Sequence, residues 1–194
     1  MNNPGTLIRN PFWRLSRRLA RPKEEWFDVF DERGILIASA PRSFCHSGTF
    51  LLHKVGHLVV VNRAGEILLQ KRNDDKDVQP GKWDTSVGGH LHHRESPEAG
   101  VLRETREELG LDLGGSDIRF LYEYRMRSEI ELEWVHTFLH VTSSENFKFD
   151  PAEISEVRFW SPGEIRGVLS AGFFTPNFED EFRRYSEWMD HDRR

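Results

Sequence analysis

Three glutamates at helical spacing constrain this chain most. Glu104, Glu107 and Glu108 stand at i, i+3 and i+4 in a segment that opens on Ser96-Pro97 and closes at Gly110. Ser is a good N-cap, Pro fits the first helical position, and Gly accepts the left-handed backbone that ends a helix. The spacing therefore predicts a helix over 97–109. At ~3.6 residues per turn, Val101, Leu102, Thr105 and Leu109 share an arc that should bury, while Gly100, Arg103, Glu104, Glu107 and Glu108 share the opposite one. Adjacent like charges cost about 0.2–0.5 kcal/mol per pair in an isolated helix. Two readings fit the spacing alone: a solvated acidic face, or a site for a hard divalent cation whose charge offsets the repulsion.

The rest of the chain can support such a site. Its 194 residues suffice for one domain with a real core, and 6 Trp and 14 Phe argue for packing and against disorder. The net charge of -5 argues against a generic nucleic-acid-binding surface. Residues 1–23 carry six basic and no acidic side chains, which leaves -11 on the remainder. We read 1–24 as a basic N-terminal extension, either poorly ordered or a weak contact for an anionic surface, and 25–194 as a single domain. No apolar run approaches the ~20 residues that span a bilayer. The single cysteine, Cys45, leaves no internal disulfide and suits a cytoplasmic setting.

Strands are expected at Trp26–Phe30, Ile35–Ala38, His57–Asn62, Glu66–Lys71, Trp83–Val87, Ile118–Tyr124, Glu133–Val141 and Val157–Trp160. Arg63-Ala64-Gly65 reads as a hairpin turn, and 73–82 as a loop. Ser161-Pro162-Gly163-Glu164 resembles a capping box before a short helix. Thr175-Pro176 opens a last helix with Phe178, Phe182, Tyr185 and Met189 on one side. Mostly strands with three later helices suggests α+β or an α/β/α sandwich.

The pattern running from Gly89 through Glu95 to Arg103-Glu104-Thr105-Arg106-Glu107-Glu108-Leu109-Gly110-Leu111 resembles the Nudix box across its full span. Thr105 is the one departure, where the family usually has an aliphatic residue. The resemblance implies an α/β/α sandwich with a mixed sheet and a loop–helix–loop metal site. It implies hydrolysis of a nucleoside diphosphate linked to another group, with Mg²⁺ or Mn²⁺ as cofactor. By position, Glu104, Glu107, Glu108 and the Gly88 carbonyl match metal ligands. Glu104 is also a candidate to activate the attacking water, and Arg103 and Glu95 match residues that brace the loop and helix.

Beyond the box, WFDVFDERG, APRSFCHSGTFLLH, QPGKWDTSVGGH and IELEWVHTF resemble the isopentenyl-diphosphate isomerase-like Nudix proteins over residues 25–190. That resemblance implies a second metal site of His46, His53, His90, Glu131 and Glu133. Imidazole with carboxylate suits a transition metal such as Zn²⁺ or Mn²⁺. It also implies diphosphate contacts from Arg42, Lys71 and Lys76. His92 and His93 read as exposed polar residues, and Cys45 as a small buried one.

One position departs from the isomerases. Their acid/base Cys stands immediately before the box glycine, and here that position is Gly88. Glu133 offers one proton-transfer group without that partner. A diphosphate hydrolase is therefore the leading expectation. The alternatives are an allylic-diphosphate isomerase, with Trp160 at the position of an active-site aromatic, and a non-catalytic nucleotide-binding module. Trp83, Trp134 and Phe173 are candidates to stack on a base. The expected partner is a small diphosphate compound; no nucleic acid is expected, and a homodimer stays open.

Overall fold

The computed structural model describes residues 24–76 and 78–192; the basic segment 1–23, for which an extension was expected, lies outside them. Nine strands form one mixed sheet: β1 (Trp26–Phe30), β2 (Leu36–Pro41), β3 (Leu52–Asn62), β4 (Ile67–Arg72), β5 (Trp83–Asp84), β6 (Val87–His90), β7 (Arg119–Arg127), β8 (Leu132–Thr142) and β9 (Ile154–Trp160). Among the described residues four helices accompany them: α1 (Arg42–Cys45), α2 (Pro97–Leu109), α3 (Pro162–Val168) and α4 (Pro176–Asp192). No described helix is long and apolar enough to cross a membrane.

β3 organises the sheet. β8 runs parallel along one edge, from Leu52↔Leu132 to Asn62↔Thr142. The other edge is shared in turn by three antiparallel neighbours, β1 at Leu52 and His53, β6 at Val55–Leu58 and β4 at Val61. Such a strand is buried on both faces, and the run Leu58-Val59-Val60-Val61 supplies apolar side chains to each. Leu58 and Val60 pack with Leu68, Val87, Val101 and Leu109 beneath α2. Val59 and Val61 pack on the opposite face with Leu69, Trp160, Phe178 and Phe182 of the α4 side. The alternation makes the sheet the middle layer of a sandwich.

The expected ends of α2 are present. Ser96 accepts a hydrogen bond from Ala99 N, Pro97 begins the helix, and Gly110 adopts φ 65° with its N–H on Arg106 O. Val101, Thr105 and Leu109 are buried, but Leu102 only partly. Gly100 was grouped with the acidic arc; it is buried, because a Cβ there would lie 3.1 Å from Leu91 Cγ. The capping box of α3 is also present, with Ser161 and Glu164 bonded reciprocally.

Strands β2, β7 and β9 each run three residues past the expected range at one end, and three further differences bear on the site. β3 begins at Leu52 rather than His57, because pairing with β1 and β8 carries the polar His53 and Lys54 into the sheet. The single strand expected at 83–87 is two, β5 on β4 and β6 on β3. The short helix α1 was not foreseen; it carries Arg42 and ends at the buried Cys45.

Candidate active site and metal cluster

The β6 glycines separate two centres. Gly89 faces α2: a Cβ built on it would overlap the Glu104 carboxylate. Gly88 faces the other way, where a Cβ would lie 3.2 Å from Thr85 Cγ2 and 3.3 Å from His57 Cδ2. Side chains on successive strand residues point to opposite faces, so two bare positions in a row let groups approach the backbone from both sides.

On the α2 side, Arg103 holds the box together. Its Nε donates to Glu95 Oε1 at 2.9 Å, and another of its nitrogens to Glu95 Oε2 at 3.0 Å and to the His90 carbonyl at 3.1 Å. Its remaining nitrogen donates to Glu104 Oε1 at 2.8 Å and Glu107 Oε2 at 3.3 Å. Glu95 also accepts from His92 N at 2.9 Å. One guanidinium thus ties loop, strand and helix. Glu107 is more than half exposed, whereas Glu104 is only 16% exposed in its side chain.

Glu108 is the most desolvated of the three. Burial, then the charge of Glu104, push its carboxyl up to about 8, against hydrogen bonds from Gly88 N (3.4 Å) and Gln70 Nε2 (3.2 Å). Burial also raises Glu104 above the usual carboxylate range, despite Arg103. Two carboxyls that resist ionisation side by side need additional positive charge to be anionic together. Gln70 was not singled out in the sequence, since a strand glutamine carries no signal until its partner is known.

On the other face a second group converges. Ligand-type atoms of His46, His53, His90 and Glu131 all lie within 4.8 Å of one another. His46 Nε2 is 3.1 Å from His90 Nε2 and 3.0 Å from Glu131 Oε2. Glu133, itself buried, lies beside the group with Oε1 3.5 Å from His90 Nε2. His53 is fully buried, and its Nε2, like Glu131 Oε2 and Glu133 Oε2, has no aligned hydrogen-bond partner. Buried polar atoms are rarely left so. Glu131 Oε2 lies 3.8 Å from both His53 Nε2 and His90 Nε2, a spacing at which one cation could take all three as ligands. Burial drops His46 to about 4 and also lowers His53, so both favour the neutral, ligating form. For His90, burial is outweighed by the adjacent Glu131 and Glu133, and its pKa is raised.

The expected basic residues divide. Arg42 on α1 pairs with Glu25 at 3.0 Å and reaches His90 Nδ1 at 3.4 Å, so it borders the His cluster. Lys71 neighbours Gln70 on β4, opposite Trp83. Lys76 forms an ion pair with Glu153. Of the candidate stacking residues, Trp83 is core, packed edge-on to Trp160. Trp134 lies under the Gly34 turn and the Lys54 ammonium. Phe173 is 54% exposed. His92 and His93 are both nearly half exposed in their side chains, near Glu25 and Asp28 respectively.

Next to Gly88 lies a buried network that the sequence did not announce. Glu181 of α4, 1% exposed, accepts from His57 Nδ1 (2.8 Å), Tyr122 (2.6 Å), Tyr124 (2.6 Å) and Thr137 (3.0 Å). These donors outweigh burial and hold Glu181 below the usual carboxylate range, while its charge raises His57.

Comparisons with known proteins give the family and the fold. The sequence matches the NUDIX domain over residues 52–182. It is 31% identical over 180 residues to an uncharacterised Nudix hydrolase of Clostridium acetobutylicum, covering 84% of this chain and 85% of that one. It is 28% identical over 157 residues to an isopentenyl-diphosphate Delta-isomerase of Streptomyces coelicolor, covering 76% and 79%. A crystal structure from Deinococcus radiodurans shares the fold with TM-score 0.71 at 22% identity, covering 82% of this chain and 98% of that one. Kinship with the hydrolases supports hydrolysis of a pyrophosphate-containing substrate. The chain belongs to the Nudix family, and its relatives there include both hydrolases and isopentenyl-diphosphate isomerases.

Proposed function

We propose that the protein is a divalent-metal-dependent hydrolase that cleaves the diphosphate linkage of a nucleoside diphosphate derivative in the cytoplasm. The observation that carries this reading is the Glu104–Glu108 pair, two largely desolvated carboxyls beside two glycines with one cation, Arg103, in contact with Glu104. That donor set fits Mg²⁺ or Mn²⁺, held by Glu104, Glu107, Glu108 and the Gly88 carbonyl. Such a cation, when bound, neutralises phosphate oxygens and lowers the pKa of a water.

The chain's own residues do the rest. Arg103, anchored by Glu95, keeps Glu104 aimed at the glycine surface. Glu104 accepts the proton of the attacking water, and its raised pKa makes it a better base than a solvated glutamate. Gln70 and Gly88 N orient Glu108. The resemblance supports Arg42 and Lys71 as diphosphate contacts, with Arg42 reaching from beside the His cluster, and Lys76 only if it leaves Glu153. Residues 25–194 act as one domain, with 1–24 as a basic extension.

Purified protein with Mg²⁺ and a panel of nucleoside diphosphate derivatives tests the reading. Phosphate-ester products from at least one member support it. Tight nucleotide binding without turnover under any divalent metal would instead indicate a binding module.

The His46, His53, His90, Glu131 and Glu133 cluster favours a second reading, an allylic-diphosphate isomerase with Zn²⁺ or Mn²⁺ at that cluster. Isopentenyl diphosphate in deuterated water separates the two. Label entering product above background would reverse the ranking.

A further inference from the structure

We propose that a cavity between β1, β3 and the loop preceding α2 binds a small organic phosphate monoester, at a site distinct from the glutamates and from the His cluster. The cavity measures about 310 Å³ and is lined by Asp28, Phe30, Lys54, Leu91, Arg94 and Glu95, among others. Its size falls at the lower end of the ~300–1,000 Å³ typical of small-molecule sites.

Its charges are unbalanced in an informative way. Both acids in the wall are already engaged. Asp28 takes the backbone N–H of Arg94 at 2.9 Å and pairs with His93 Nδ1 at 2.6 Å. Glu95 takes Arg103 Nε and His92 N, each at 2.9 Å. Neither cation has a carboxylate partner among the described residues. Lys54 Nζ lies 4.6 Å from the Phe30 ring centre and 4.7 Å from that of Trp134, and no described carboxylate forms an ion pair with it or with the Arg94 guanidinium. Aromatic faces hold the ammonium in place without neutralising it. Arg94 also sits at φ 63°, a left-handed conformation that glycine would adopt without strain. A long basic side chain kept on such a backbone points to a use for its charge.

Two uncompensated cations match a phosphate monoester, which carries about -1.5 to -2 charge at neutral pH, better than a monocarboxylate. Phe30 and Pro97, both partly exposed, give an organic body apolar surface. The inference does not depend on the hydrolase reading.

Calorimetric titration of the full chain, treated with chelator, tests it with adenosine 5′-monophosphate and, separately, inorganic phosphate. Chelation removes the divalent cation through which the glutamate site would hold a phosphate, and the two variants leave that site's own residues intact. Adenosine monophosphate should bind at one site per chain with millimolar affinity or better, and more tightly than inorganic phosphate. Lys54→Met keeps the packing on the rings and removes the charge; it should weaken binding at least about tenfold. Arg94→Gly should weaken binding similarly without lowering the thermal midpoint, since glycine suits that backbone, so the loss cannot be ascribed to misfolding. Absence of binding at millimolar ligand, or undiminished binding in both variants, overturns the proposal. Equal affinity for inorganic phosphate would overturn the organic-ligand assignment.

Discussion

The Glu104 carboxylate lies over the bare Cα of Gly89, in the space that any side chain at that position would need. Gly89→Ala must therefore displace either the strand or the carboxylate. Overpacking of this kind costs about 1–3 kcal/mol. Turnover should fall by about 100-fold or more, because a misplaced catalytic group loses roughly that much per ångström. Steady-state kinetics with a urea melt would check both, and wild-type turnover in Gly89→Ala would remove Glu104 from the reacting surface.

Glu108 makes metal-free stability depend on pH. Its folded pKa of about 8 exceeds its ordinary value of 4.5. Between those values the native state retains a proton that the unfolded chain releases, so stability falls as pH rises across that window. Glu108→Gln should flatten this dependence, and Mg²⁺ should offset the loss at the alkaline end. Denaturation in chelator from about pH 5 to about pH 8, repeated with Mg²⁺, gives the comparison; parallel curves for wild type and Glu108→Gln would contradict it.

The Glu181 network pins α4 to the sheet through groups from β3, β7 and β8. Glu181→Ala leaves His57, Tyr122, Tyr124 and Thr137 without their shared acceptor. Breaking a buried pair costs about 3–5 kcal/mol, so urea denaturation should show a loss on that scale. The depressed Glu181 contributes stability above its unfolded pKa of 4.5, lost as pH falls through its folded value; the raised His57 contributes below 6.5, lost as pH rises through its folded value. A loss below about 1 kcal/mol would mean that water replaces the network at little cost.

The His cluster should retain a transition metal through purification. Metal analysis of protein prepared without added metal is expected to find about one equivalent of Zn²⁺ or Mn²⁺. His53→Ala, which removes the most buried donor, should lose it. Retention in both His53→Ala and Glu131→Gln would locate the metal elsewhere.

Local pattern carried α2 into view. Ser96, Pro97 and Gly110 mark its ends, and the Glu spacing marks its acidic face, because those signals act within a few residues. The His46, His53, His90 and Glu131 cluster could be named only through resemblance, since α1, β3, β6 and the approach to β8 meet only after folding. Glu181 was invisible for the same reason. Beside Asp180 it reads as a solvated helix residue, and its burial depends on donors 44 to 124 residues away. Lys54 likewise gains meaning only when Phe30 and Trp134 close around it. The start of β3 was misjudged because polar residues there are buried by long-range pairing, which overrides local composition.

The most direct test is the turnover of Glu108→Gln against wild type, on one diphosphate substrate at saturating Mg²⁺. If the buried carboxylates hold the cation that drives hydrolysis, kcat should fall by about 1,000-fold or more, while the variant melts at or above the wild-type temperature in chelator at neutral pH. Unchanged kcat, or wild-type turnover that persists in chelator, would contradict the account.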